Sequence, residues 1–326
     1  MLEIIQSNKR ALNKKLIFKL SQIGFALNSK ICYTNRIDVG INDYIEYVAQ
    51  LKSGDKIFIS RTETKVPIHI IVSILEARNV KLIFYLMEEP IFPLDLIHRI
   101  LPVAIRIFVQ NNVYNIPNVH IMPIGIRDCG SIVAMHSRFN HSYLLQAEIE
   151  IYLQFTRPIN QPPSLRPITC LLCFSTWTHP SREHCYDLFK NSETAPFVFN
   201  LNDDESMYEE RNTKEYFYEK IPEKIVYEKT KKSKYALCPR GCGEDTHRFY
   251  ESISLACVPI VIKTNTVFDR LYTEFPCLTV DKWEDVTEQL LISEYPECWR
   301  RMCAFYARYP RFLTDLDSID DLLLRL

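Results

Sequence analysis

Four short, mostly apolar runs constrain this chain more than any other feature: DKIFIS (55–60), VKLIFYLM (80–87), IRIFVQ (105–110) and VHIMPIGI (119–126). A strand with one wet face alternates polar and apolar residues, whereas a strand buried on both faces reads as a continuous apolar run. Helix-like segments separate the runs, so the pattern predicts buried strands of a parallel α/β sheet.

The pattern breaks at FTRPINQPPSLRP (155–167), where four of thirteen residues are proline, a residue that opposes both helix and central strand. Beyond it the alternation resumes with ITCLLCFS (168–175), APFVFNL (195–201), KYALCPRG (234–241), CVPIVIK (257–263) and PCLTVD (276–281), and helices follow from Trp283. The expectation is two α/β domains, residues 1–160 and 161–326, facing a cleft between the carboxyl ends of their sheets. The short basic run KTKKSK (229–234) reads as a solvated helix end.

Composition narrows the function classes. The chain has 326 residues, 47% hydrophobic and 24% charged, the balance of a packed enzyme-sized body. Lys and Arg total 39 against 40 for Asp and Glu, a net charge of −1, so no global field draws in nucleic acid or an anionic membrane. No stretch is long and apolar enough for a membrane span. The eleven cysteines are odd in number and lack framework spacing, and residues 1–20 hold no run suited to a signal peptide. These features suit reduced thiols and a cytoplasmic location.

Chemistry concentrates in SKYALCPRGCGEDTHRFYESISLACVPIVIK (233–263), which reads strand, turn, helix, strand. Four of the seven residues from Pro239 to Asp245 are Pro, Gly or Asp, with Gly241 and Gly243 making the turn. Asp245 or Thr246 can cap a helix through His247, Arg248 and Glu251. Backbone N–H groups at such a start suit a phosphate. Arg248 lies in the first turn, where its forked guanidinium can pair with a diphosphate, and Glu251, on the same helix side, can accept hydrogen bonds from ribose hydroxyls. The same spacing equally suits an i, i+3 surface ion pair.

SKYALCPRG and DTHRFYESISLACVPIVI resemble the signature of exostosin-like glycosyltransferases (family 47-type), with Ser233, Pro239, Gly241, Arg248, Glu251, Cys257 and Pro259 fitting its pattern. The following TVFDRLYTEFPCLTVDKWEDVTE (266–288) resembles the continuation in soluble versions carried by algae and large DNA viruses. The resemblance covers residues 230–290. It implies a glycosyltransferase B fold of two Rossmann-like domains, with Arg248 on the donor diphosphate and Glu251 on the ribose. It further implies an inverting, metal-independent enzyme that moves a sugar from a UDP-sugar, UDP-xylose among them, to a glycan hydroxyl. A viral form would work in the host cytoplasm.

In STWTHPSREHC (175–185), Thr176, Thr178, His179 and Arg182 follow a buried strand, and Arg182 can make a second phosphate or sugar contact or simply start a solvated helix. The base that takes the acceptor proton belongs at a strand end of the first half, where Glu63, Glu88, Glu89 and Asp128 are the candidates. Several patterns read as decoys. Cys170-x-x-Cys173 lies within an apolar strand and suits core thiols better than zinc. Gly241-Cys242-Gly243 lacks the third glycine of a dinucleotide fingerprint. His136 and His141 suit an ordinary loop. Asn202-Asp203-Asp204-Glu205 suits a solvated loop, with Asp203 and Glu205 as ligands of Mn²⁺ or Mg²⁺ in the competing reading. A nucleotide-sugar or glycan-binding protein without turnover is the alternative from another function class.

Overall fold

The computed structural model describes residues 31–34, 41–60, 68–87, 91–126, 165–203, 221, 223–310 and 316–326. The first sheet contains β1 (Ile31–Thr34), β2 (Lys56–Ser60), β3 (Leu82–Met87), β4 (Ala104–Gln110) and β5 (Val119–Met122). They are parallel and lie in sequence order β1-β2-β3-β4-β5. Helices α1 (Ile41–Val48), α2 (Ile68–Ala77) and α3 (Leu94–Ile100) connect the first four.

Strand periodicity sorts the side chains of this sheet onto two faces. Ile57, Ile59, Phe84, Leu86, Ile107 and Val109 pack in one core cluster with Ile71 and Leu75 of α2 and Ile97 of α3. Their alternates Phe58, Tyr85, Met87, Phe108 and Ile121 belong to a second cluster, which runs on without a break into the other half of the chain. Burial of both faces is why these runs carry so little polar alternation.

The second sheet contains β6 (Ile168–Leu172), β7 (Val198–Asn200), β8 (Ser233–Leu237), β9 (Val258–Ile262) and β10 (Leu278–Val280). All are parallel, in the order β10-β9-β8-β6-β7. The helices of this half are α4 (Pro180–Phe189), α5 (Glu223–Lys231), α6 (His247–Ser254), α7 (Asp269–Glu274) and the long α8 (Glu288–Arg308). The last helix, α9 (Leu316–Arg325), crosses back to lie against β5. Its Leu322 and Leu323 are buried in the shared cluster.

Two Rossmann-like α/β units are thus present, the fold class expected from the sequence. Each apolar run named above supplies a strand. The run at 119–126 stops pairing at Met122 because Pro123 has no N–H to donate. Strand β1 is an addition to the expected set.

The order of the second sheet locates a site before any side chain is considered. From β6 the chain moves outward to β7, then returns across β6 to β8. The order therefore reverses between β6 and β8, and open α/β sheets bind ligands outside the carboxyl ends of strands at such a switch point. The segments leaving those two strands are 173–179 and 238–246.

Candidate functional site

Both segments place polar groups at the switch point. After β8 the chain turns through Pro239, Arg240, Gly241 and Gly243 to Thr246, the N-cap position of α6. After β6 it forms a short 3-10 turn, Thr176–Thr178, and enters α4 with His179 as N-cap, whose Nδ1 accepts the N–H of Ser181 at 3.1 Å.

Arg182 ties the two segments together. Its Nε donates to the carbonyl of Arg240 at 2.9 Å and its Nη1 to the carbonyl of Ser175 at 3.3 Å. A Cβ at Gly241 would lie 3.0 Å from Arg182 Nη2, so a glycine here lets the guanidinium lie against the turn. Burial, and next the positive charge of Arg248, lower the pKa of Arg182.

Arg248 and Glu251 sit one helical turn apart on α6, with Nη1 and Oε2 at 3.4 Å. The Glu251 side chain is 7% exposed and that of Arg248 22%. The pair is therefore not a surface ion pair. Among the described residues, Arg240 Nε and Thr178 Oγ1 are buried without a hydrogen-bond partner, and Arg248 Nη1 is buried with the 3.4 Å ion pair to Glu251 but no hydrogen bond. Buried donors of this kind cost about 1–3 kcal/mol each when left unpaired, so their clustering marks a place for an acceptor-rich ligand. Burial disfavours the charge of Arg248, but the Glu251 carboxylate outweighs it and holds the guanidinium more firmly protonated than usual. Arg240 is paired with Glu244 four residues on. Glu251 pairs with Arg248, and the charge of Arg248 reaches Arg182, so two guanidinium groups lie near each other beside the start of α6, where an anion can be held.

His179 and Cys238 border this cluster and both stay neutral near pH 7. Burial, then the charges of Arg240 and Arg182, lower the pKa of His179 from 6.5. Burial pushes the Cys238 thiol up to about 12. Cys170 and Cys173 are buried free thiols.

The remaining residues expected at this site instead join the two halves. The Asp245 carboxylate accepts the N–H of Ile124 at 2.7 Å, the hydroxyl of Tyr250 at 2.7 Å and the N–H of Thr246 at 2.9 Å. The N–H of Asp245 donates to Asn111 Oδ1 at 2.8 Å, and His247 Nδ1 lies 2.8 Å from the carbonyl of Gly125. A Cβ at Gly243 would come within 2.6 Å of Asn111 Cγ, so only glycine permits that approach. Asn111 immediately follows β4, and Ile124 and Gly125 follow β5. The carboxyl ends of the two sheets therefore face each other, with the turn after β8 bonded to the first half.

Of the eight binding candidates, Arg182, Gly241, Arg248 and Glu251 surround the unpaired donors. Gly243, Asp245 and His247 bind the halves together, and Thr246 begins α6 without a side-chain cap bond. Sequence reasoning missed Asn111 and Arg240. The signal for Asn111 was Gln110-Asn111-Asn112, three polar residues at the end of an apolar strand, all of them buried. Glu63, Glu88, Glu89 and Asp128 lie outside the described residues, as do His136, His141, Asp204 and Glu205.

No protein-family model matches this chain, and no curated protein matches it. Among solved structures it is similar to the GtfA/B complex, at 11% identity and a TM-score of 0.42, covering 87% of this chain and 59% of that one. It is similar to Acinetobacter baumannii MurG at 8% identity and a TM-score of 0.37, covering 87% and 78%. It is also similar to Anabaena Alr3699/HepE in complex with UDP-glucose, at 9% identity and a TM-score of 0.39, covering 86% and 80%. Likenesses this distant carry no part of the functional assignment, which rests on the chain's own residues.

Proposed function

We propose that this chain is a glycosyltransferase that takes a sugar from a UDP-sugar and passes it, with inversion, to a glycan hydroxyl. The observation that carries the reading is the buried Arg248, one of whose terminal nitrogens has no hydrogen-bond partner among the described residues, beside Glu251 at the switch point of the second sheet. A diphosphate supplies acceptors for Arg248 and Arg182, and the Glu251 carboxylate suits ribose hydroxyls. The motif at 233–263 supports the same assignment.

In the transfer the acceptor oxygen attacks the anomeric carbon and the bond from that carbon to the diphosphate oxygen breaks. Charge grows on the leaving diphosphate, where a guanidinium and a helix N-terminus favour the transition state over the ground state. The acceptor proton passes to a carboxylate of the first half, for which Glu63, Glu88, Glu89 and Asp128 are the candidates. The cationic cluster gives the diphosphate its counter-charge without a divalent metal.

A donor screen tests the proposal. The chain is incubated with UDP- and GDP-sugars, with and without oligosaccharide acceptors, and free nucleotide is quantified. Release of UDP from at least one donor is expected. Binding of UDP without release from any donor would favour the non-catalytic alternative, and no binding at all would overturn the site assignment.

A further inference from the structure

Gly243 has the place of a phosphate-loop glycine, yet its own backbone does not demand one. Among the described residues only Gly54 and Gly125 are glycines with the left-handed φ that other residues resist. What excludes a side chain at 243 is Asn111. The three heavy atoms nearest to an added Cβ are its Nδ2, Cγ and Oδ1, all within 2.6 Å. Asn111 belongs to the first half and immediately follows β4.

Asn111 is fully buried, has a φ of 54°, and accepts the N–H of Asp245 on Oδ1 at 2.8 Å. That bond fixes which way the amide faces, because the opposite flip would set its N–H₂ against the N–H of Asp245. Nδ2 is then left buried without a hydrogen-bond partner among the described residues. A left-handed non-glycine residue and an unpaired buried donor both oppose folding, and such features persist where the geometry serves a site. Stability alone does not account for an asparagine at this position.

The turn that Asn111 holds is the one that builds the cationic cluster. On one side of Gly243, Gly241 lies against the Arg182 guanidinium. On the other, Asp245 leads into Thr246, the N-cap position of α6, which carries Arg248 and Glu251. We infer that Asn111 is a positioning residue of the donor site: from the first half it sets the backbone of the turn 241–246 in the second. It thereby places Arg182, Arg248 and the start of α6 around a diphosphate. Resting on the donor-site reading above, this makes nucleotide affinity in the second half depend on a side chain of the first, which acts through the turn rather than on the ligand.

The test is a double-mutant cycle on the whole chain: wild type, Gly243→Ala, Asn111→Gly and the two together. Calorimetry measures UDP affinity, and circular dichroism with urea unfolding follows the fold. Glycine at 111 accepts a φ of 54° without strain and vacates the space that a Cβ at 243 needs. Each single variant is expected to bind UDP roughly ten-fold more weakly. The double variant should bind no more weakly than Asn111→Gly, because the added methyl then has nothing to displace. Should Asn111→Gly not fold, Asn111→Ser takes its place in the cycle. A purely structural contact would lower the urea midpoint and leave the UDP affinity of the folded protein unchanged, and that result in either single variant would overturn the inference. The same loss from Gly243→Ala in both backgrounds would also overturn it, since the glycine would then serve the ligand and not Asn111. A wild type that binds no UDP would refute the donor-site reading itself, and the inference with it.

Discussion

Replacing Asp245 by alanine should destabilise the protein far more than removal of a surface carboxylate. Two donors distant in sequence, the N–H of Ile124 and the hydroxyl of Tyr250, converge on Oδ2 of Asp245, each at 2.7 Å. Asp245 is only 6% exposed, so water cannot readily replace the lost acceptor. At about 1–3 kcal/mol for each stranded buried donor, the two together cost about 2–6 kcal/mol. For a chain of this size that corresponds to an apparent melting temperature lower by roughly 3–9 °C. Asp245→Asn is the control: with its amide oxygen at the Oδ2 position it keeps both donors and sets an N–H₂ only against the N–H of Thr246. It should therefore lose clearly less than the alanine variant. Urea unfolding followed by circular dichroism, with thermal melts alongside, measures both. An Asp245→Ala variant within about 1 kcal/mol of wild type would refute the clamp reasoning, since an unpaired buried donor alone costs that much.

Three further outcomes are expected. Arg248→Lys keeps the charge but loses the forked donor, so turnover should fall by at least ten-fold in a UDP-release assay with the fold intact; an unchanged rate would show that the fork takes no part. Activity should persist in excess EDTA and in Asp203→Asn, whereas loss in EDTA with recovery in Mn²⁺ would transfer the diphosphate's counter-charge to a metal. The folded state holds the pKa of His179 below 6.5, so the unfolded chain binds more protons and stability falls as pH drops through 6.5, levelling off below the folded-state value. His179→Asn should flatten that part of the wild-type profile in pH-dependent unfolding, and identical slopes would remove His179 as its source.

The strands were legible because both faces of each sheet are buried, which turns a strand into a run of Ile, Val, Leu and Phe. β1, only Ile31–Thr34, is too short to stand out among its neighbours. The spacing from Arg248 to Glu251 was legible because one helical turn fixes it. Whether that pair faced solvent or interior was not, since its burial depends on β6 and the turn 173–179, which lie far away in sequence. Asp245 shows the same limit: an acidic residue before a helix suits a cap, yet its carboxylate turns to Ile124, 121 residues earlier. No local pattern encodes that choice.

Calorimetric titration of UDP into wild type and Glu251→Ala tests the central claim most directly. Wild type should bind, and the variant should bind with about 1.5–3 kcal/mol less free energy, the worth of hydrogen bonds to a charged group, or roughly 10- to 150-fold more weakly. Equal affinities with an unchanged circular dichroism spectrum, or a wild type that takes up no UDP, would contradict the assignment of this site to a nucleotide donor.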